Sequence, residues 1–235
     1  MEMKKQMKNK RYAVSDIHGN HKALKKVLKE SKFNYDKDEL IVIGDVCDGY
    51  SDSYEVVEEL LKIKNMTFII GNHDVWWMNH IANGWAENIW LNQGGENTIK
   101  SYESAGYDYK KIPQSHKNFF NKGRYYYELD GMLFVHGGFD YPKHPSECSV
   151  ETLTWDRKFL ERCKNGLKVY GWDKVFIGHT TTESEGAEPL VMDFNKGAAK
   201  VIDIDCGAGY KGRLCLYNID TDKYFLSDYG KGFGI

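Results

Sequence analysis

Two hydrophobic rhythms alternate along the first third of the chain. Tyr12-Ala13-Val14-Ser15 is a short apolar run, and Glu39 to Ile43 is a second, free of charge after Glu39 as a strand buried on both faces requires. Met66 to Ile70 is a third. Between the first two, Leu24, Val27 and Leu28 recur at helical spacing with lysines opposite. Between the second and third, Val56, Val57, Leu60 and Leu61 repeat that period from Tyr54 to Ile63, and a further helix is expected from near Asp74. The order β-α-β-α-β predicts an open parallel sheet with helices on its faces.

The middle of the chain, roughly 75–125, is aromatic, and Trp76, Trp77, Trp85 and Trp90 sit in a pattern that reads as helical. From Tyr125 onward strands dominate: Tyr125–Leu129, Met132–His136, Lys174–Ile177, Lys200–Asp205, Arg213–Ile219 and Tyr224–Ser227. Gly131, the stretch from Gly207 to Gly212, and Thr221-Asp222 supply turns between them. This half predicts a second, partly antiparallel sheet. No Pro- or Ser-rich linker divides the chain, and its 4 prolines are scattered. The expected fold class is therefore α/β, with two packed mixed sheets flanked by helices. It would form one domain over 12–235, after a basic, disordered tail over 1–11.

Composition narrows the setting. The 235 residues carry 28% charged side chains and a net charge of −2, which gives no general attraction to nucleic acid or anionic membranes. Five cysteines, Cys47, Cys148, Cys163, Cys206 and Cys215, form neither an even framework nor a CxxC pair, and read as reduced thiols of a cytoplasmic protein. No apolar run approaches the roughly 20 residues that span a bilayer, and the basic N-terminal stretch lacks the apolar core of a signal peptide. Neither an extended nucleic-acid surface nor a membrane partner is expected. The oligomeric state is open.

Chemistry concentrates in five short segments: Asp16-Ile17-His18-Gly19-Asn20, Gly44-Asp45-Val46-Cys47-Asp48, Gly71-Asn72-His73-Asp74, Val135-His136-Gly137-Gly138 and Gly178-His179-Thr180. Each sets Asp, Asn or His at the end of an apolar run and beside a glycine. In open α/β sheets the carboxyl ends of strands form the crevice where ligands bind. Any one of these pieces alone reads as a turn. Together they supply oxygen and nitrogen ligands for two divalent metals and a spare histidine that can move protons. A mixed carboxylate and imidazole set suits Mn, Fe or Zn better than an all-oxygen Mg or Ca site.

Other features read more plainly. His21, His80, His116 and His144 lie outside these segments and are expected to be structural. The four tryptophans read as core or cleft wall rather than a base-stacking shelf. Gly207-x-Gly209-x-x-Gly212 matches a dinucleotide fingerprint in letters, but a strand follows it where that site needs a helix, so it reads as a turn.

In this order the five segments resemble the calcineurin-like metallophosphoesterases. Trp90 to Thr98 with Ser101-Tyr102, and Ile204 to Tyr210 with Arg213-Leu214, look like the bacterial and phage branch of the PPP-type serine/threonine phosphatases. That branch includes symmetrical diadenosine tetraphosphatases. The resemblance runs from about 12 to 228. It implies a calcineurin-like β-sandwich with a dinuclear metal site at the C-terminal ends of the strands.

By the same resemblance, Asp16 and His18 bind the first metal and Asp45 bridges to the second. Asn72, His136 and His179 complete the second. Mn is the first expectation for both ions, with Fe, Zn, Ni or Mg as alternatives. A hydroxide between them would attack phosphorus directly. His73 would protonate the leaving oxygen, oriented by Asp48, with Asp74 in a supporting role, and Arg157 would grip the substrate phosphate.

One position departs from the pattern: Gly49 stands where most of the family has an arginine after the second Asp. The implied activity is that of a serine/threonine phosphatase-like phosphomonoesterase acting on phosphorylated protein or small phosphoesters. The alternatives are a nucleotide hydrolase cleaving diadenosine polyphosphates or cyclic nucleotides and, from another class, a non-catalytic binding module.

Overall fold

The computed structural model describes residues 9–194 and 197–232; of the basic stretch read as a disordered tail, 1–8 lie outside the described residues. The three apolar runs become β1 (Arg11–Val14), β2 (Glu39–Ile43) and β3 (Asn65–Ile69), paired in parallel with Ala13 opposite Ile41 and Ile41 opposite Thr67. The intervening helices are α1 (His21–Glu30) and α2 (Ser53–Leu60). Arg11 opens β1 and pairs with Asp220 and Asp130.

The aromatic middle is helical. It comprises α3 (Asn72–Asn83), α4 (Asn88–Trp90), a π-type turn over Leu91–Gly95, α5 (Glu96–Ser104) and α6 (Gln114–Asn121). Then come β4 (Tyr126–Leu129), β5 (Met132–Val135), the short helices α7 (Val150–Trp155) and α8 (Lys158–Lys164), β6 (Lys174–Ile177), β7 (Leu190–Met192), β8 (Lys200–Asp203), β9 (Cys215–Asn218) and β10 (Tyr224–Leu226).

Two five-stranded sheets result, ordered β10-β9-β1-β2-β3 and β4-β5-β6-β8-β7. The expectation that every strand after Tyr125 joins the second sheet is corrected here. β9 returns to pair antiparallel with β1, with Ala13 opposite Tyr217, and β10 pairs with β9. Strand periodicity marks a buried face but not which sheet a strand will join, since pairing is non-local.

The pleat sorts the side chains. Ala13, Ile41, Ile43, Phe134, Phe176, Ile202 and Tyr217 meet between the sheets, while Val14, Leu40 and Val42 face α1 and α2. Leu133, Val135, Val175 and Ile177 pack against Phe159 and Leu160 of α8. The sandwich therefore carries helices on both outer faces. The C-terminal ends of β1, β2, β5 and β6 open toward one shared edge, where the Gly178 amide donates to the His136 carbonyl (2.9 Å) and the Asp16 amide to Gly44 (3.1 Å). The Gly207–Gly212 segment is a turn ahead of β9, closed by the Gly212 amide on the Gly207 carbonyl at 3.0 Å.

Candidate metal centre

β1, β2, β5 and β6 end one or two residues before a candidate ligand and β3 ends three before Asn72, and the chain bends sharply around these positions. Asp16, His18, Asp45, Asp48 and His179 all sit at positive φ, between 49° and 66°. Asp and His tolerate this region better than bulky residues, yet each such residue carries strain that its surroundings must hold. The surroundings do so with backbone hydrogen bonds. The His18 amide donates to the Asp45 carbonyl (2.9 Å), and the His179 amide donates to Asp16 Oδ2 (3.1 Å).

Asp45 is the hub. Its ligating atoms group with those of Asp16 and His18 on one side and of His136 and His179 on the other, every atom of a group lying within 4.8 Å of the rest, and all five residues are buried. His18 Nε2 is 3.9 Å from Asp16 Oδ1 and 3.8 Å from Asp45 Oδ2. Its Nδ1 lies 2.8 Å from the Asp48 carbonyl, which takes the ring proton and leaves Nε2 with a lone pair toward the two carboxylates. His136 Nε2 is 3.2 Å from both Asp45 Oδ2 and Asn72 Oδ1, with Nδ1 on the Ile43 carbonyl. His179 Nε2 faces the Trp155 carbonyl at 3.2 Å, which leaves Nδ1 as its ligating atom. Gly71 permits this convergence, because a Cβ there would lie 2.1 Å from Asp45 Oδ1.

Electrostatics express the same demand for positive charge. Burial, together with the Asp45 charge, pushes Asp16 up to about 6 against the pull of His136. Burial also works to raise Asp45, but His136, His73 and His18 hold it well below the usual carboxylate range. His136 is driven up to about 10 by Asp45 and Asp16 despite its burial. His18 is lowered by burial and by His73, and His179 falls to about 3 through burial, His136 and Arg157, so both favour the neutral form that binds metals. The donor set fits a pair of divalent ions sharing Asp45.

His73 stands beside this cluster in the first turn of α3. Its Nδ1 is 2.9 Å from Asp48 Oδ2, and its ring lies edge-on to His18 and to Trp76, each with centroids 5.0 Å apart. Burial opposes its protonation, but Asp45, Asp48 and Asp74 outweigh burial and raise its pKa. Asp74 accepts from the amides of Gly71 (2.9 Å), Asp45 (2.7 Å) and Val46 (3.0 Å), which ties two of the ligand loops together.

Arg157 is exposed, and its Nη1 donates to the His179 carbonyl at 2.7 Å, which sets the guanidinium at the rim of the cluster. His80 and His116 are buried away from it, on the Trp85 carbonyl and on Tyr102 and Glu58.

Three relationships around the cluster could not be read from the sequence. Trp155 bridges Trp76 (centroids 5.0 Å) and His179 (5.8 Å), so an aromatic wall runs from His73 to His179. Asp205, pushed up to about 8 by burial and the Asp16 charge, is buried and accepts from the Gly207 amide at 3.0 Å. Trp90 and Thr98 both bond the Asp48 carboxylate, at 2.7 and 2.8 Å. The resemblance singled out the segment from Trp90 to Thr98, but nothing in spacing connects it to a residue so far upstream.

Residues 10–201 match the family model described as Calcineurin-like phosphoesterase. The chain is 29% identical over 217 residues to serine/threonine-protein phosphatase 1 of Salmonella typhimurium, covering 88% of this chain and 91% of that protein. It is 43% identical over 65 residues to the symmetrical bis(5'-nucleosyl)-tetraphosphatase of Buchnera aphidicola, covering 27% of this chain and 24% of that one. A crystal structure assigned as a diadenosine tetraphosphatase superposes with a TM-score of 0.67 at 16% identity, covering 97% of this chain and 96% of the other, a likeness of fold.

Proposed function

This chain belongs to the calcineurin-like phosphoesterase family and is a metallophosphoesterase, and we propose that within the family it acts as a phosphomonoesterase of the serine/threonine phosphatase type. Its substrates would be phosphorylated proteins or small phosphoesters. The observation that carries this reading is the pair of ligand groups sharing Asp45, with the His73–Asp48 pair on their flank. Similarity to a protein phosphatase along nearly the whole chain supports the same choice.

Asp16, His18, Asp45, Asn72, His136 and His179 would hold two divalent ions; the mixed nitrogen and oxygen donors suit Mn, Fe or Zn, with Mn the first expectation from the resemblance. Bound there, the ions supply Lewis-acid stabilisation of the phosphoryl oxygens and lower the pKa of water. Arg157, at the rim beside His179, offers a guanidinium fork to two phosphate oxygens. His73 presents Nε2 to the leaving oxygen, because its Nδ1 proton is committed to Asp48.

The buried free thiols of Cys47, Cys163, Cys206 and Cys215 support a reducing compartment, the cytoplasm. Among the described residues, no helix is long and apolar enough to cross a membrane.

A second reading, hydrolysis of nucleotides such as dinucleoside polyphosphates, draws on the Trp76–Trp155 wall beside His73, which could stack a base. A panel of phosphoserine peptide, diadenosine tetraphosphate and cyclic nucleotides, assayed with Mn, tests the choice. The first reading expects the highest kcat/KM on the peptide. Preference for a nucleotide by orders of magnitude would overturn it.

A further inference from the structure

The Asp48 carboxylate is fully buried and surrounded by three donors. Oδ2 accepts from His73 Nδ1 (2.9 Å) and from the Trp90 indole Nε1–H (2.7 Å), while Oδ1 accepts from the Thr98 hydroxyl (2.8 Å). Thr98 Oγ1 also accepts the Asp48 backbone N–H at 2.8 Å, so one hydroxyl holds both ends of this residue.

Trp90 cannot swing away. Its ring stacks on Trp85 with centroids 5.6 Å apart and lies 5.1 Å from His80, and Gly95 approaches so closely that a Cβ there would sit 2.3 Å from Trp90 Cε2. The turn between Trp90 and Thr98 is fastened to the same loop by the Gly49 amide on the Gly94 carbonyl (3.3 Å) and by Asn97 Nδ2 on the Gly49 carbonyl (2.5 Å).

We propose that Trp90 and Thr98 are positioning residues for proton transfer, holding Asp48 in the orientation that presents Oδ2 to His73. A carboxylate left with His73 alone would rotate between several hydrogen-bonding poses, and the imidazole would follow it. With both oxygens pinned, the His73 ring is aimed. As the P–O bond to the leaving group breaks, the Nε2 proton passes to the leaving oxygen. The attacking water gives its oxygen to phosphorus and its proton returns the ring to its starting state. A charge-assisted hydrogen bond in a buried site is strong enough to matter at this scale.

The proposal rests on His73 as the proton donor, and its test uses leaving groups that differ in their need for a proton. Phosphoserine peptide releases an alkoxide that must be protonated, whereas p-nitrophenyl phosphate releases a phenolate that leaves unaided. The Mn-loaded full chain is compared with Trp90→Phe, Thr98→Val and Thr98→Ser. Trp90→Phe and Thr98→Val should lower kcat on the peptide about tenfold or more, with KM little changed, and lower kcat on p-nitrophenyl phosphate by less than about twofold. Thr98→Ser should restore the wild-type ratio. Equal loss on both substrates, or no loss on the peptide, overturns the proposal. If Trp90→Phe does not fold, the two Thr98 variants decide by the same criterion. A wild-type chain inert on both substrates refutes the functional reading itself and this proposal with it.

Discussion

His136 Nδ1 lies 2.8 Å from the carbonyl oxygen of Ile43, so a ring at the end of one sheet hangs from the backbone of the other. Its second nitrogen then faces Asp45, in the loop after β2, and Asn72, which opens α3 after β3, both on the side of the first sheet. The candidate centre therefore exists only when the two sheets are docked. Metal binding and sheet docking should be thermodynamically linked.

Linkage predicts that Mn stabilises the folded chain. At an ion concentration 100 times Kd, one site adds about 2.7 kcal/mol. Thermal unfolding of the chelator-treated protein, with and without Mn, should show a rise in Tm that is smaller in His136→Ala, which keeps the Asp16–His18–Asp45 group. An unchanged Tm on adding Mn would count against the centre.

His73→Asn should keep the metals and lose turnover. The ligand groups around Asp45 do not include His73, so metal content by elemental analysis should match the wild type. Turnover on phosphoserine peptide should fall roughly 10²–10⁴-fold, the usual contribution of general acid catalysis. A fall of less than tenfold would remove His73 from proton transfer.

Gly49 has φ of +117° and stands against Gly94, whose own added Cβ would meet the Gly49 nitrogen at 2.2 Å. An arginine forced into that backbone would carry the strain that glycine avoids. Gly49→Arg should cost about 1–3 kcal/mol in chemical denaturation and should not lower KM. A variant as stable as the wild type with tighter substrate binding would show that the loop has room for an arginine.

Lys174 and Lys200 grip Asp222 at 2.6 and 3.2 Å, joining the ends of β6 and β8 to the β9–β10 turn. Burial pulls this carboxyl up, but the two ammonium groups outweigh it and hold it below its ordinary value. A depressed folded pKa contributes stability above the unfolded pKa, about 3.9, and that stability is lost as pH falls through the folded value. Asp222→Asn should therefore be roughly 0.5–1 kcal/mol less stable at pH 7, given the exposure of the pair, with the gap closing below about pH 4. Asn tolerates the +58° φ at this site, so backbone strain does not confuse the comparison. A gap that persists unchanged into acid would point to packing instead.

What could be read along the chain depended on distance. Val14, Ile43 and Ile69 close apolar runs, and the ligand triplets follow them at once, so strand and chemistry were legible in one local window. β7, Leu190–Met192, has three residues and too little periodicity to stand out. The return of β9 to β1 depends on Ala13 meeting Tyr217, a pairing no local pattern encodes. The bonds of Trp90 and Thr98 to Asp48 were hidden for the same reason. Their apolar or helical context is local, while the carboxylate they hold lies more than forty residues upstream.

The central claim is that Asp45 joins two metals into one hydrolytic centre. The direct measurement is phosphate release from phosphoserine peptide, with metal content determined on the same samples, for the wild type and Asp45→Asn. Two ions per chain and Mn-dependent release are expected for the wild type, with release in Asp45→Asn reduced at least about a thousandfold, as loss of a metal-held reaction geometry implies. Undiminished release by Asp45→Asn, or release by the wild type after complete removal of metal, would contradict it.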